Sequence, residues 1–252
     1  MNDLFDLKGQ KAILTGGANG IGRAIAQGLH EHGVEVVIFD VSERIEEVAA
    51  EMAGDGAPVH GMRVDLSDRS AIPRAFAVAH ETLGDLDILI NAAGILIRQP
   101  SVDFPLEGWD KTMEINLTAV FELCQLAGRV MMERGRGKIV NIGSYNSIAG
   151  TEDLPAYCAS KGGVKLLTMT LAAEWGPKGV YVNAIAPGYV ETELSSGLRN
   201  DPEGYAESLK TIPLQRWGRV EDIVGPAVFL ASRASDYVTG TALIVDGGRL
   251  SK

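Results

Sequence analysis

KAILTGGANGIG, residues 11–22, is the stretch on which the fold turns. Lys11 to Thr15 is a short, mainly apolar run that ends in glycine, and Ile21, Ile25 and Leu29 then recur at helical spacing, so the unit reads strand, turn, helix. Gly16, Gly20 and Gly22 stand in the pattern Gly, three residues, Gly, one residue, Gly. Such a turn lets backbone approach a phosphate closely, and the start of a helix favours negative charge. A glycine cluster alone is merely a turn. Set between a strand and an amphipathic helix, Gly16, Asn19, Gly20, Ile21 and Gly22 are the expected cradle of a dinucleotide pyrophosphate.

The same unit repeats outward from this stretch. Further apolar runs lie at 34–39 (VEVVIF), 59–64, 86–91 (LDILIN), 137–143 (GKIVNIG), 179–186 (GVYVNAIA) and 241–246 (TALIVD), with helical patterns between them, notably 106–134, the segment after Pro155, and 220–232. Continuous apolar runs alternating with helices mean a parallel sheet covered on both faces. The expected fold class is α/β: a doubly wound, seven-stranded parallel sheet of Rossmann type with helices on both faces, residues 1–252 forming a single NAD(P)-binding catalytic domain. Asp40 ends the second run eighteen residues after Gly22. A carboxylate there accepts hydrogen bonds from ribose hydroxyls and repels a 2′-phosphate, so NAD is favoured over NADP, although Arg44 is near enough to receive a phosphate.

Composition narrows the function further. A net charge of −10 argues against nucleic-acid or anionic-membrane partners, and it requires a local basic group if the substrate is an anion. Cys124 and Cys158, the two cysteines, offer neither a disulfide framework nor metal-ligand spacing. The start, MNDLFDLKGQ, has no basic region before an apolar core, and no run approaches eighteen apolar residues, so the expected address is the cytoplasm.

The second decisive stretch is SYNSIAGTEDLPAYCASK, 144–161. Tyr157 and Lys161 stand four apart and share one face of a helix. A neighbouring cation favours a phenolate, so Lys161 is expected to lower the Tyr157 pKa, while Ser144 orients the oxygen of a carbonyl or alcohol whose proton Tyr157 gives or takes. This Ser, twelve residues, Tyr, three residues, Lys spacing, with TGxxxGxG at the first turn, resembles the short-chain dehydrogenase/reductase family, and the likeness runs along nearly the whole chain. The resemblance implies a hydride transfer between a nicotinamide cofactor and a secondary alcohol or ketone. It further implies that Asp65 and Leu66 meet the adenine, that Asn91, Ala92 and Gly94 floor the cofactor site, and that Pro187, Gly188, Val190 and Thr192 close over the nicotinamide. Tyr157 and Lys161 also meet the cofactor on this reading. Asn116, within the apolar EINLTAVF, is implied to hold a water that carries the proton away; read from the residues alone, a buried amide bonded to nearby backbone would look the same. Ala92 departs from the asparagine usual there.

The stretches 91–100 and 216–240 are most similar to the sugar-acid members of that family, the gluconate 5-dehydrogenases and 2-dehydro-3-deoxygluconate dehydrogenases. Arg98 follows the turn closely enough to bind a carboxylate at a pocket mouth, though an exposed surface arginine would read the same, and Ser144, Tyr145, Asn146, Tyr157 and Tyr189 are the other expected substrate contacts. Polyol or free-sugar dehydrogenases and a 3-oxoacyl-carrier-protein reductase share most of these motifs, but the latter would want a basic surface and NADPH. A cofactor-binding protein without catalysis would be expected to lack the tyrosine or lysine. The family resemblance also implies a homotetramer built through the helices at 117–132 and 163–175 and the last strand.

Overall fold

A computed structural model describes residues 4–54 and 56–251; Met1 to Asp3, at the start of the leader reading, lie outside them. Seven strands, β1 (Lys11–Thr15), β2 (Glu35–Asp40), β3 (Val59–Arg63), β4 (Ile88–Asn91), β5 (Gly137–Ile142), β6 (Val180–Pro187) and β7 (Ala242–Val245), form one sheet in the order 3-2-1-4-5-6-7. Every pairing is parallel. The strand order reverses direction between β1 and β4, and a crevice opens there at the carboxyl ends of the strands, where such sheets hold ligands.

Strands β1, β2, β4, β5 and β6 alternate their side chains between two cores, whereas β7, at the edge of the sheet, leaves Ile244 exposed. One packs beneath α1 (Gly20–Glu31), α2 (Ile45–Ala53) and α9 (Glu221–Ala231), through Leu14, Ile25, Leu29, Ile38, Ile90 and Ile223. The other packs beneath α3 (Ala71–Leu83), α5 (Ala119–Arg134) and α6 (Pro155–Trp175), through Ile13, Val37, Leu89, Leu123, Ile139 and Val164. Burial on both faces accounts for the unbroken apolar runs of these five strands. The long helical region at 106–134 is divided: α4 (Leu106–Met113) passes into a wider π-type turn, Glu114–Thr118, before α5 begins. Two short helices, α7 (Ser196–Arg199) and α8 (Pro202–Lys210), follow β6, and α7 together with Asp201 at the start of α8 lines the crevice.

Candidate active site

The crevice is a cavity of about 880 Å³ running from the glycine turn after β1 to the start of α6. At its first end the backbone is packed too tightly for any residue but glycine: a Cβ on Gly22 would stand 2.1 Å from the Gly16 carbonyl oxygen, and one on Gly16 would stand 2.8 Å from Ala93 Cα. Asn19 makes no side-chain bond to the first turn of α1, so those N–H groups are left for an anion. The Asp40 carboxylate holds the rim by accepting from the N–H of Ala18 (3.0 Å) and of Ser42 (2.9 Å). Asp65 accepts from the hydroxyl and N–H of Ser67, and these bonds hold its carboxyl below the usual range. Gly16, Asn19, Gly20, Ile21, Gly22, Asp40, Asp65, Leu66, Ala92 and Gly94 all line the cavity, so the residues present fit a dinucleotide.

Asn91 is a correction. It does not line the cavity; it is buried on the other face of β4, donating to the Asn141 side chain (2.9 Å) and contacting the Cys124 sulfur (3.4 Å). Asn91 is the last residue of β4 and points to the same face as Leu89, while Ala92, Ala93 and Gly94, beyond the strand, are the residues that meet the cleft. Asn116 is also fully buried, and its amide is matched to backbone: Oδ1 accepts from Ile95 N–H and Nδ2 donates to the Ile95 carbonyl, both at 2.8 Å, with a further bond to Ser160 (3.3 Å). It therefore clamps the turn after β4 to the π-type turn and holds Gly94 against Lys161, whose Nζ would lie 3.6 Å from a Cβ there.

Ser144 leaves β5 as the cap of a single helical turn, accepting from Asn146 N–H at 3.1 Å. Pro155 at the first position of α6 presets its dihedral and sends Tyr157 and Lys161 along the cleft wall. The Ser144 hydroxyl faces the Tyr157 phenol and is the group that favours its phenolate, yet removal from water dominates and pushes Tyr157 up to about 12. The depression expected from Lys161 is absent. Its Nζ donates to the Ile142 carbonyl (2.7 Å), lies 5.7 Å from the Tyr157 ring centre, and is itself pushed down to about 8 by burial. A folded-state value below the ordinary 10.5 means that folding releases a proton between these two pH values. Wild type is therefore expected to gain stability over Lys161→Met as pH rises from about 8 to 10.5, measured by thermal unfolding at several pH values; a constant gap would contradict the buried ammonium.

The far end of the cavity is aromatic. Tyr145 tilts against Tyr189 (centres 5.5 Å apart), Tyr189 stacks on buried Trp217 (5.0 Å), and Tyr205 of α8 tilts against Trp217 (5.0 Å). Asn146 accepts from Thr151, whose hydroxyl also meets that of Tyr145. Arg98 lines the mouth and is exposed, donating to the Glu152 carbonyl at 3.3 Å. Pro187, Gly188, Val190 and Thr192 line the cavity, Val190 bridging to Gly218. Sequence reasoning missed Lys111 and Leu154 in the lining, for no local pattern announces their approach; Leu194, Leu198 and Asp201, which also line it, fall in the variable stretch after β6. Among the described residues no cluster suits a metal, and no helix is long and apolar enough to cross a membrane.

Comparison with known proteins agrees with this geometry. The family profile described as enoyl-(acyl carrier protein) reductase matches residues 16–249. The chain is 44% identical over 252 residues to 2-dehydro-3-deoxy-D-gluconate 5-dehydrogenase of Bacillus subtilis (strain 168), covering 100% of this chain and 99% of that one. It is 42% identical over 247 residues to gluconate 5-dehydrogenase of Gluconobacter oxydans (strain 621H), covering 98% and 96%. The crystal structure of a gluconate 5-dehydrogenase from Burkholderia cenocepacia J2315 in complex with NADP and tartrate superposes with a TM-score of 0.96 at 38% identity, covering 99% and 98%.

Proposed function

The chain belongs to the short-chain dehydrogenase/reductase family, and from that premise we propose that it oxidises or re-forms a secondary alcohol on a sugar acid of the gluconate or 2-dehydro-3-deoxygluconate type. The observation that carries the reading is the facing pair of Ser144 and Tyr157 in the cavity that begins at the glycine turn. A pyridine dinucleotide, when bound, supplies the hydride acceptor or donor. Ser144 orients the reacting oxygen, and Tyr157 gives or takes its proton; a phenol held protonated by its surroundings is suited to the giving. Lys161, anchored on Ile142, supplies positive charge behind the phenol, and Asn116 holds the turn through which we place the proton's exit. The names of the relatives, the position of Arg98 at the mouth, and the net charge of −10, which disfavours an acidic carrier protein, support the substrate class. Dinucleotide absorbance followed across sugar acids, free sugars and polyols tests it; turnover confined to uncharged polyols would sink it.

NAD is part of the proposal. Asp40 puts a carboxylate at the rim, and the nearby bases are already paired, Arg44 with Glu47 (2.8 Å) and Arg63 with Glu43 (3.4 Å). Asp40→Ser is expected to cut the preference for NAD over NADP by about tenfold, the scale of one ribose contact and one repulsion. The ratio of kcat/KM for the two dinucleotides checks this, and a wild type that prefers NADP refutes it. We further propose a cytoplasmic homotetramer. Phe121, Leu166 and Met169 on α5 and α6, and Ile244 on the edge strand β7, expose large apolar surface that association would cover.

A further inference from the structure

The diglycine at the end of β7 places a cation behind the wall of the cavity. Asp246 accepts from the N–H groups of Gly248 (2.8 Å) and Leu250 (2.7 Å), closing a turn in which Gly247 and Gly248 have φ of 65° and 89°. The turn is seated on 211–214, where a Cβ on Gly247 would stand 2.8 Å from Ile212 and one on Gly248 2.9 Å from Pro213. Arg249 is thereby turned back toward the cleft. Its guanidinium lies 4.7 Å from the ring centre of Tyr145 and 4.6 Å from that of Tyr189, and it donates to the Thr211 hydroxyl. Both rings wall the substrate end of the cavity. Among the described residues neither Arg249 nor Arg98 is paired with a carboxylate. Both favour the ionised Tyr189, though burial wins and pushes it up to about 12.

We propose that Arg249 is a specificity-determining residue that selects an anionic substrate by acting through Tyr145 and Tyr189. This rests on the sugar-acid reading above and names the part of the chain that enforces it. A guanidinium lying over phenol faces is held by the rings' negative potential and strengthens their O–H groups as donors. Those hydroxyls and the positive potential behind them stabilise a carboxylate, whereas an uncharged polyol gains only ordinary hydrogen bonds. In a chain of net charge −10, such a positive wall must be built locally.

The test assays the full-length enzyme, Arg249→Met and Arg249→Lys with gluconate and with its uncharged counterpart glucitol, at saturating dinucleotide. Methionine keeps an apolar stem on the rings and removes the charge, and thermal unfolding reports whether each variant folds. Arg249→Met is expected to raise KM for gluconate about tenfold, the scale of one charge-assisted contact, with kcat within about twofold and glucitol kinetics unchanged. Arg249→Lys should recover part of the loss, since it keeps charge without the planar stack. If wild type prefers gluconate and Arg249→Met keeps that preference, the role of Arg249 is overturned while the sugar-acid reading stands. Parallel losses on both substrates would mark a structural role and overturn it too. If wild type turns over glucitol and neither gluconate nor 2-dehydro-3-deoxygluconate, the sugar-acid reading fails and this proposal fails with it.

Discussion

Tyr157→Phe should lower kcat by about a hundred- to ten-thousand-fold, the contribution of a positioned acid or base, while dinucleotide affinity stays within about threefold. The substitution removes one oxygen from a ring whose packing is otherwise kept. Ser144, which faces the phenol in the wild type, would be left without that partner. Because burial holds the phenol up at about 12, the carbonyl-reducing direction should be insensitive to pH through neutrality, and the alcohol-oxidising direction should quicken as pH rises. Steady-state rates in both directions, with dinucleotide binding measured by titration, check this. Full turnover by the phenylalanine variant would remove Tyr157 from the chemistry.

Gly22→Ala should damage both stability and dinucleotide binding. The added methyl would meet the Gly16 carbonyl oxygen at 2.1 Å, and Gly16 is itself pressed against Ala93 across the turn. Backbone cannot rotate aside as a side chain does, so the strand-to-helix turn must open. Overpacking ordinarily costs about 1–3 kcal/mol, and a loss at the upper end is expected here. The displaced turn no longer presents the start of α1 to the pyrophosphate, so the dinucleotide Kd should rise at least about tenfold. Gly225→Ala within α9 is the control, because nothing lies within 4 Å of its Cβ position. There, better helix propensity should leave stability equal or raised by about 0.5–1 kcal/mol. Thermal unfolding and dinucleotide titration of both variants decide the matter; equal behaviour would refute the packing argument.

The exposed and buried ends of the site were legible to different degrees in the sequence. The glycine turn, Asp40 and the spacing of Ser144, Tyr157 and Lys161 were readable because each depends on neighbours a few residues away: a turn needs its glycines, a strand end presents its last residue, and a helix stacks positions four apart. The alternation of strands and helices fixed a parallel, doubly wound sheet for the same local reason, since only strands buried on both faces are apolar throughout.

What the tertiary structure alone decided is how much water each group keeps and which distant group it meets. Asn91 follows the motif yet faces Asn141 and Cys124 in the core, because side chains alternate across a strand and the register of β4 against β5 sets which face is which. Lys161 stands four residues from Tyr157 but shares its charge with the Ile142 carbonyl, so burial rather than the lysine governs the phenol. Arg249 reaches Tyr145 and Tyr189 only because β7 closes the sheet beside β6 and the Asp246 turn folds back on 211–214. Desolvation and through-space charge depend on the whole packed chain, and a linear pattern carries neither.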